Sequence, residues 1–250
     1  SWADAWFESA SGLTTTGATV FGDVEGMMPR SLLFWRCLSQ WIGGLGIVVL
    51  FVAMLSNLGA GAKLLFSNES SGQSRDIDDS TMQEGAKRIM WFYLGLSLVC
   101  FISYRLAGVS WFDAVCHMLT TVSTGGFSTR NLSIASFQSL PITLITMVYM
   151  VLASMHFGLI FLALVRRSLK PLNNEVLKFY LWGLVVGSLL LGVTLKVDRV
   201  EQNWGYALLN GSFHIISYAS TTGFAIADNS AWPYLASVLL IFFGIQCGMA

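Results

Sequence analysis

A short hydroxyl-glycine stretch, Leu13-Thr14-Thr15-Thr16-Gly17-Ala18-Thr19-Val20, returns as Thr121-Val122-Ser123-Thr124-Gly125-Gly126-Phe127 and as Ala219-Ser220-Thr221-Thr222-Gly223-Phe224-Ala225. Each copy follows a short half-hydrophobic segment and precedes a long apolar one. Recurrence at intervals of about a hundred residues marks repeated supersecondary units, so the physics of one copy holds for all. Aligning Gly17, Gly125 and Gly223 places hydroxyl residues directly before each glycine, at Thr15-Thr16, Ser123-Thr124 and Thr221-Thr222.

Composition puts those units in a lipid bilayer. Hydrophobic residues make up 54% and charged ones 11%, with a mean hydropathy of +0.64, too apolar for a solvated domain surface. The expected fold class is an all-α integral membrane protein. A formal net charge of zero argues against nucleic acid or another polyanionic partner. Cys37, Cys100, Cys116 and Cys247 stand singly in apolar surroundings without ligand spacing, and read as buried small hydrophobes. The opening Ser1-Trp2-Ala3-Asp4-Ala5 reads as the interior of a longer chain.

Residues 2–13 are too short to cross a membrane, which takes about 20 residues, and too apolar for a loop, so they predict a half-helix. Pro29 suits the first turn of a helix from about Ser31 to Leu58, whose middle carries Gln40-Trp41-Ile42-Gly43-Gly44-Leu45-Gly46. Those glycines allow close packing of a neighbouring backbone, or let the helix line a pore. Residues 67–88, with five acids and three bases, form a polar connector outside the bilayer. Residues 89–107 predict a span with Arg105 near its end, and Trp111-Phe112-Asp113-Ala114 opens a second half-helix in the pattern of Trp2-Ala3-Asp4-Ala5. Further spans are predicted over 141–165, 179–197 and 232–249, with a third half-helix from Trp204 to Tyr218. The basic run Arg166-Arg167-Ser168-Leu169-Lys170 places its loop, and by parity residues 59–88, in the cytoplasm. The glycine stretches then dip in from the opposite side. This divides the chain into a first repeat over 1–66, the connector 67–88, a second repeat over 89–167 and a third over 168–250.

Span, half-helix, extended Thr/Ser-Gly segment, span is a pore-loop layout. Irregular backbone at membrane depth is tolerated only where protein buries it or a watery cavity meets it. Carbonyls at 15–17, 123–125 and 221–223 could replace the hydration shell of an alkali cation, with glycine permitting the required backbone angles. Each half-helix also turns its C-terminal end, carrying roughly half a negative elementary charge, toward the same place.

The TTTGATV, STGGFST and TTGFA stretches, with QWIGGLGI between the first two, resemble the Trk/Ktr/HKT superfamily of potassium transporters, and the bacterial Trk-type membrane subunit most of all. The resemblance implies a single chain of four unequal repeats around one pseudo-fourfold ion path, of which the leading span and the fourth repeat are missing here. It implies potassium as the transported ion, no cofactor and no enzymatic step. It also implies a multi-pass place in the bacterial inner membrane, homodimers, and a cytosolic nucleotide-binding regulatory subunit. Its key filter glycines carry over to Gly17, Gly125 and Gly223, with Thr14, Ala18, Val122, Gly126, Ser220 and Phe224 flanking. Glycine at all three positions favours potassium over sodium, since plant sodium-selective members have serine at the first. A gating loop in the family interrupts the span that Gly244 and Gly248 begin to match.

Other readings stay beside this one. A sodium or mixed-cation transporter shares the layout, and a secondary transporter with discontinuous helices also breaks helices at glycine, though with inverted repeats. An intramembrane enzyme would need a nucleophile-base pair, and none is close in sequence. His117, His156 and His214 read as packing or hydrogen-bonding residues, and Arg30, Arg36 and Arg130 as solvated or snorkelling charges that could otherwise tune an ion entrance.

Overall fold

The computed structural model describes residues 1–57, 79–155, 173–230 and 232–248, with side chains excepted at 47–57, 79–89 and 246–248. All regular structure among the described residues is helical. Helix α1 spans Trp2–Leu13, a single turn α2 Val24–Met27, and the long α3 Arg30–Asn57. Then come α4 (Asp79–Leu106), α5 (Trp111–Val122) and, after a 3-10 turn over Ser133–Phe137, α6 (Leu140–Ser154). Last are α7 (Glu175–Val197), α8 (Trp204–Ala219) and α9 (Tyr234–Gly248).

The three half-helices fall where the sequence places them, and their starts are capped by short polar side chains. Ser110 accepts from the Asp113 amide at 3.1 Å and Asn203 from the Gly205 amide at 2.8 Å, satisfying donors that a first turn leaves free. Two boundaries differ. The polar segment read as connector over 67–88 is helical from Asp79 onward, its last turns continuing directly into the apolar helix; apolar periodicity marks where a helix enters lipid, not where it begins. Pro29 sits just before α3 rather than inside it, its carbonyl accepting from the Leu33 amide at 3.1 Å.

Each long-short-long triplet packs within itself: α4, α5 and α6 meet pairwise, as do α7, α8 and α9, while α3 joins α1 to α4 and α5, and α8 reaches α6. The second triplet is pinned by Tyr104, whose buried hydroxyl reaches Thr121 on α5 at 3.0 Å and Thr146 on α6 at 2.9 Å. In the third, Leu184, Leu191, Leu195, Ile215 and Leu240 form the core. Outside the bundle the surface is apolar. Phe179, Trp182, Val186, Leu189 and Val193 on α7 stand exposed, a patch fit for lipid rather than water. Helix α7 is long and apolar enough to cross a bilayer, and Met90–Leu106, Leu140–Ser154 and Tyr234–Ile245 are shorter apolar stretches.

Polar residues of the first two repeats meet in an exposed cluster. Asn131 accepts from the amides of Val24 and Glu25 at 2.7 and 3.2 Å and donates to Asp23 at 2.8 Å. Arg130 closes the cluster, 2.6 Å from Asp113 and 3.7 Å from Glu25.

Candidate functional site

The three half-helices end in one backbone pattern. After Leu13, Thr14 keeps near-helical angles and Thr15 turns left-handed at φ 55°. The Thr15 amide donates to the Gly12 carbonyl at 3.1 Å and the Thr16 amide to Ser11 at 3.0 Å, the bond pair of a Schellman helix end. In the second copy Thr124, at φ 50°, donates to Thr121 at 3.1 Å, and Gly125 donates to Thr120 at 2.9 Å. Thr221, at φ 56°, and Thr222 repeat this with Tyr218 and Ser217 at 3.0 and 2.9 Å. A left-handed position normally takes glycine; three β-branched threonines there hold a strained conformation.

Two residues beyond each threonine the chain turns left-handed again, at Gly17 (φ 75°), Gly126 (φ 77°) and Gly223 (φ 79°). The alignment through Gly125 is therefore one residue out of register. Equivalent windows are 15–17, 124–126 and 221–223, so Ser123 joins Thr14 and Ser220 as a flanking helix cap and Gly126 enters the window. Two adjacent glycines made the second copy ambiguous in sequence.

Gly125 is small for a different reason. Thr16 and Thr222, its equivalents, share hydroxyl contacts with Thr14 and Ser220, both at 2.8 Å. In the second copy the fully buried Gln40 fills that space, and a Cβ on Gly125 would stand 2.4 Å from its Cδ. The Gln40 amide nitrogen donates to the Gly125 carbonyl at 2.7 Å, and its oxygen accepts from the Phe127 amide at 3.1 Å. The Gly125 carbonyl, expected to face an ion, thus has a protein partner.

The copies also touch one another in order. A Cβ on Gly17 would lie 2.0 Å from the Gly125 carbonyl oxygen, and one on Gly126 would lie 1.8 Å from that of Thr222. The same two positions meet each time, so the second copy stands to the first as the third stands to the second. The repeats run in one sense. A Cβ on Gly223 would meet no atom within 4 Å, and Gly223 lines a cleft of about 280 Å³ together with His214, Ser217, Tyr218 and Thr221.

Other expectations resolve locally. On α3, a Cβ at Gly43 would lie 2.0 Å from the Leu13 carbonyl, and one at Gly44 would lie 3.1 Å from the Ser123 Cβ; the paired glycines seat this helix against the ends of both α1 and α5. Arg36 is not a solvated charge. It is buried, with Nη2 2.8 Å from Glu8, and its guanidinium stacks 4.0 Å over Phe127. Arg30 lies over Phe112 and Arg105 over Trp111. Cys37, Cys100 and Cys116 are free and buried as expected, with Cys37 and Cys116 in one cluster that spacing did not reveal. Helix α9 continues through Gly244 to Gly248, and Gly244 faces Tyr218. His156 and the run 166–170 lie outside the described residues.

The family profile described as cation transport protein, TrkH, matches residues 1–249. The chain belongs to the TrkH family. It is 38% identical over 243 residues to the Trk system potassium uptake protein TrkH of Halomonas elongata, covering 95% of this chain and 49% of the relative. It is also 38% identical over 251 residues to the Trk system potassium uptake protein TrkG of Escherichia coli, covering 96% and 50%. The crystal structure of the potassium transporter TrkH from Vibrio parahaemolyticus superposes with a TM-score of 0.82 at 33% identity, covering 97% of this chain and 49% of that one. The chain thus spans about half the length of the TrkH-family relatives it matches. TrkH-family proteins are membrane transporters rather than enzymes.

Proposed function

We propose that this chain supplies filter-bearing repeats of a potassium-uptake pore in which carbonyls of the windows 15–17, 124–126 and 221–223, the Gln40-bonded carbonyl of Gly125 excepted, replace water around the ion. The observation that carries this reading is the threefold return of one strained turn, left-handed threonine then left-handed glycine, with each copy seated against the next. The converging C-terminal ends of α1, α5 and α8 add negative potential without an acidic side chain. Potassium is the cation named for the relatives. In the four-repeat layout that the family resemblance implies, a fourth window completes the ring. Its setting is a multi-pass place in the bacterial inner membrane, as a homodimer with a cytosolic nucleotide-binding regulatory subunit, and Gly244 and Gly248 lie where gating would act; these finer points rest on the family resemblance.

The test is cation flux through the full-length protein in liposomes, with and without a pH gradient. Potassium flux well above sodium flux supports the reading. Equal fluxes, or a sodium preference, would make it a mixed-cation or sodium transporter, and a dependence on the pH gradient would make transport proton-coupled.

A further inference from the structure

Once the register runs through Gly126, a second repeat becomes visible on the half-helices. Nine residues before the left-handed glycine stand Glu8, His117 and His214, all buried. Eleven residues after these, on the limb leaving the filter window, stand Thr19, Ser128 and Ala225. In the first copy Glu8 accepts from the Thr19 hydroxyl at 2.6 Å and from the Val20 amide at 2.8 Å, with Arg36 donating to both Glu8 and Thr19. In the second, His117 donates through Nδ1 to the Asp113 carbonyl at 2.8 Å, which leaves Nε2 of the neutral ring to accept from the Ser128 hydroxyl at 2.9 Å. The chemistry differs, but the brace joins the same two positions.

The third copy has the ring without the hydroxyl. His214 donates through Nδ1 to the Asn210 carbonyl at 2.9 Å, as His117 does to Asp113. The Ala227 backbone comes near the ring, yet among the described residues no group completes a hydrogen bond to Nε2, which is fully buried. Ala225 has no oxygen to offer, and His214 and Ala225 line the same cleft. The limb is held instead from the second repeat, the Ala225 carbonyl accepting from the Ala135 amide at 3.2 Å and its amide donating to Ser133 at 3.4 Å. A buried acceptor without a partner is uncommon and costly.

We propose that Glu8 and His117 are positioning residues that fix the outgoing limbs of the first two filter windows, and that the third window lacks this brace because Ala225 offers His214 no hydroxyl, its limb being held instead by Ser217 on the Phe224 carbonyl at 2.7 Å and from the second repeat. This rests on reading the windows as the ion filter.

The test uses the full-length protein in liposomes, scoring the potassium-to-sodium flux ratio alongside thermal stability in detergent. Ser128→Ala leaves His117 as His214 is now, and the ratio falls about threefold to tenfold, the scale of one lost hydrogen bond; Ser128→Thr, which keeps the hydroxyl, restores it. Ala225→Ser supplies the missing donor and raises both thermal stability and the ratio. A wild-type ratio in a folded Ser128→Ala protein, or an Ala225→Ser protein unchanged in both measures, overturns the proposal. Wild-type protein without a potassium preference would instead overturn the filter reading, so the two failures are told apart by the unmutated control.

Discussion

Gly17, Gly126 and Gly223 share a backbone angle but not a neighbourhood, and that difference sets what a side chain does at each. At Gly17 and Gly126 a Cβ meets both a left-handed φ and a carbonyl closer than 2.1 Å, the distances being 2.0 and 1.8 Å. Left-handed strain costs about 1–2 kcal/mol and overpacking about 1–3 kcal/mol more. Gly17→Ser and Gly126→Ser are therefore expected to lower the potassium-to-sodium flux ratio strongly, and Gly223→Ser, which meets only the strain, to lower it less; equal effects at all three would contradict the register. Gly125 answers to a different neighbour. Gly125→Ala should impair the protein through Gln40, so shortening Gln40 to alanine should recover part of the loss, while the same shortening should do nothing for Gly126→Ala. A double-mutant cycle on thermal stability separates these cases.

Between elements, the buried pair Glu8–Arg36 ties α1 to α3 across the first window, with side chains 9% and 6% exposed. A buried ion pair contributes little net stability against an apolar replacement, but removing one partner strands the other charge at about 3–5 kcal/mol. Arg36→Met alone is expected to lower the unfolding midpoint sharply, and the Glu8→Gln, Arg36→Met double variant to recover much of it. Additive losses in the double variant would show that the charges act independently. Helix α3 matters here beyond spanning, because Gln40, Gly43 and Gly44 set one helix against the first two windows together.

For the molecule as a whole, repeats running in one sense require every half-helix to enter from the same side. Arg199 follows α7 and Lys178 lies in its first turn, at opposite ends of a helix long enough to cross the bilayer. In a background lacking the native cysteines, a cysteine at 199 should react with an impermeant thiol reagent from outside intact cells and a cysteine at 178 should not. Labelling in the reverse pattern would turn the topology over.

Apolar runs, half-length helices and recurring Thr/Ser-Gly stretches are local properties, and by themselves they determined the all-helical repeat architecture, the limits of α1 and α8 to within a residue or so, the start of α5, and the neighbourhood of the left-handed windows. They act through hydrophobic length and capping, which need no partner. Register within the second stretch needed the tertiary structure, because two neighbouring glycines are equally permissive and only the helix-end hydrogen bonds choose which one turns left-handed. The partners of Gly125, Arg36 and His214 were likewise decided in three dimensions, by side chains arriving from 85 residues away at Gln40 and 28 away at Glu8, or, behind the third window, by an alanine where a hydroxyl stands in the other copies. No local pattern encodes a contact between segments brought together only when the repeats close side by side.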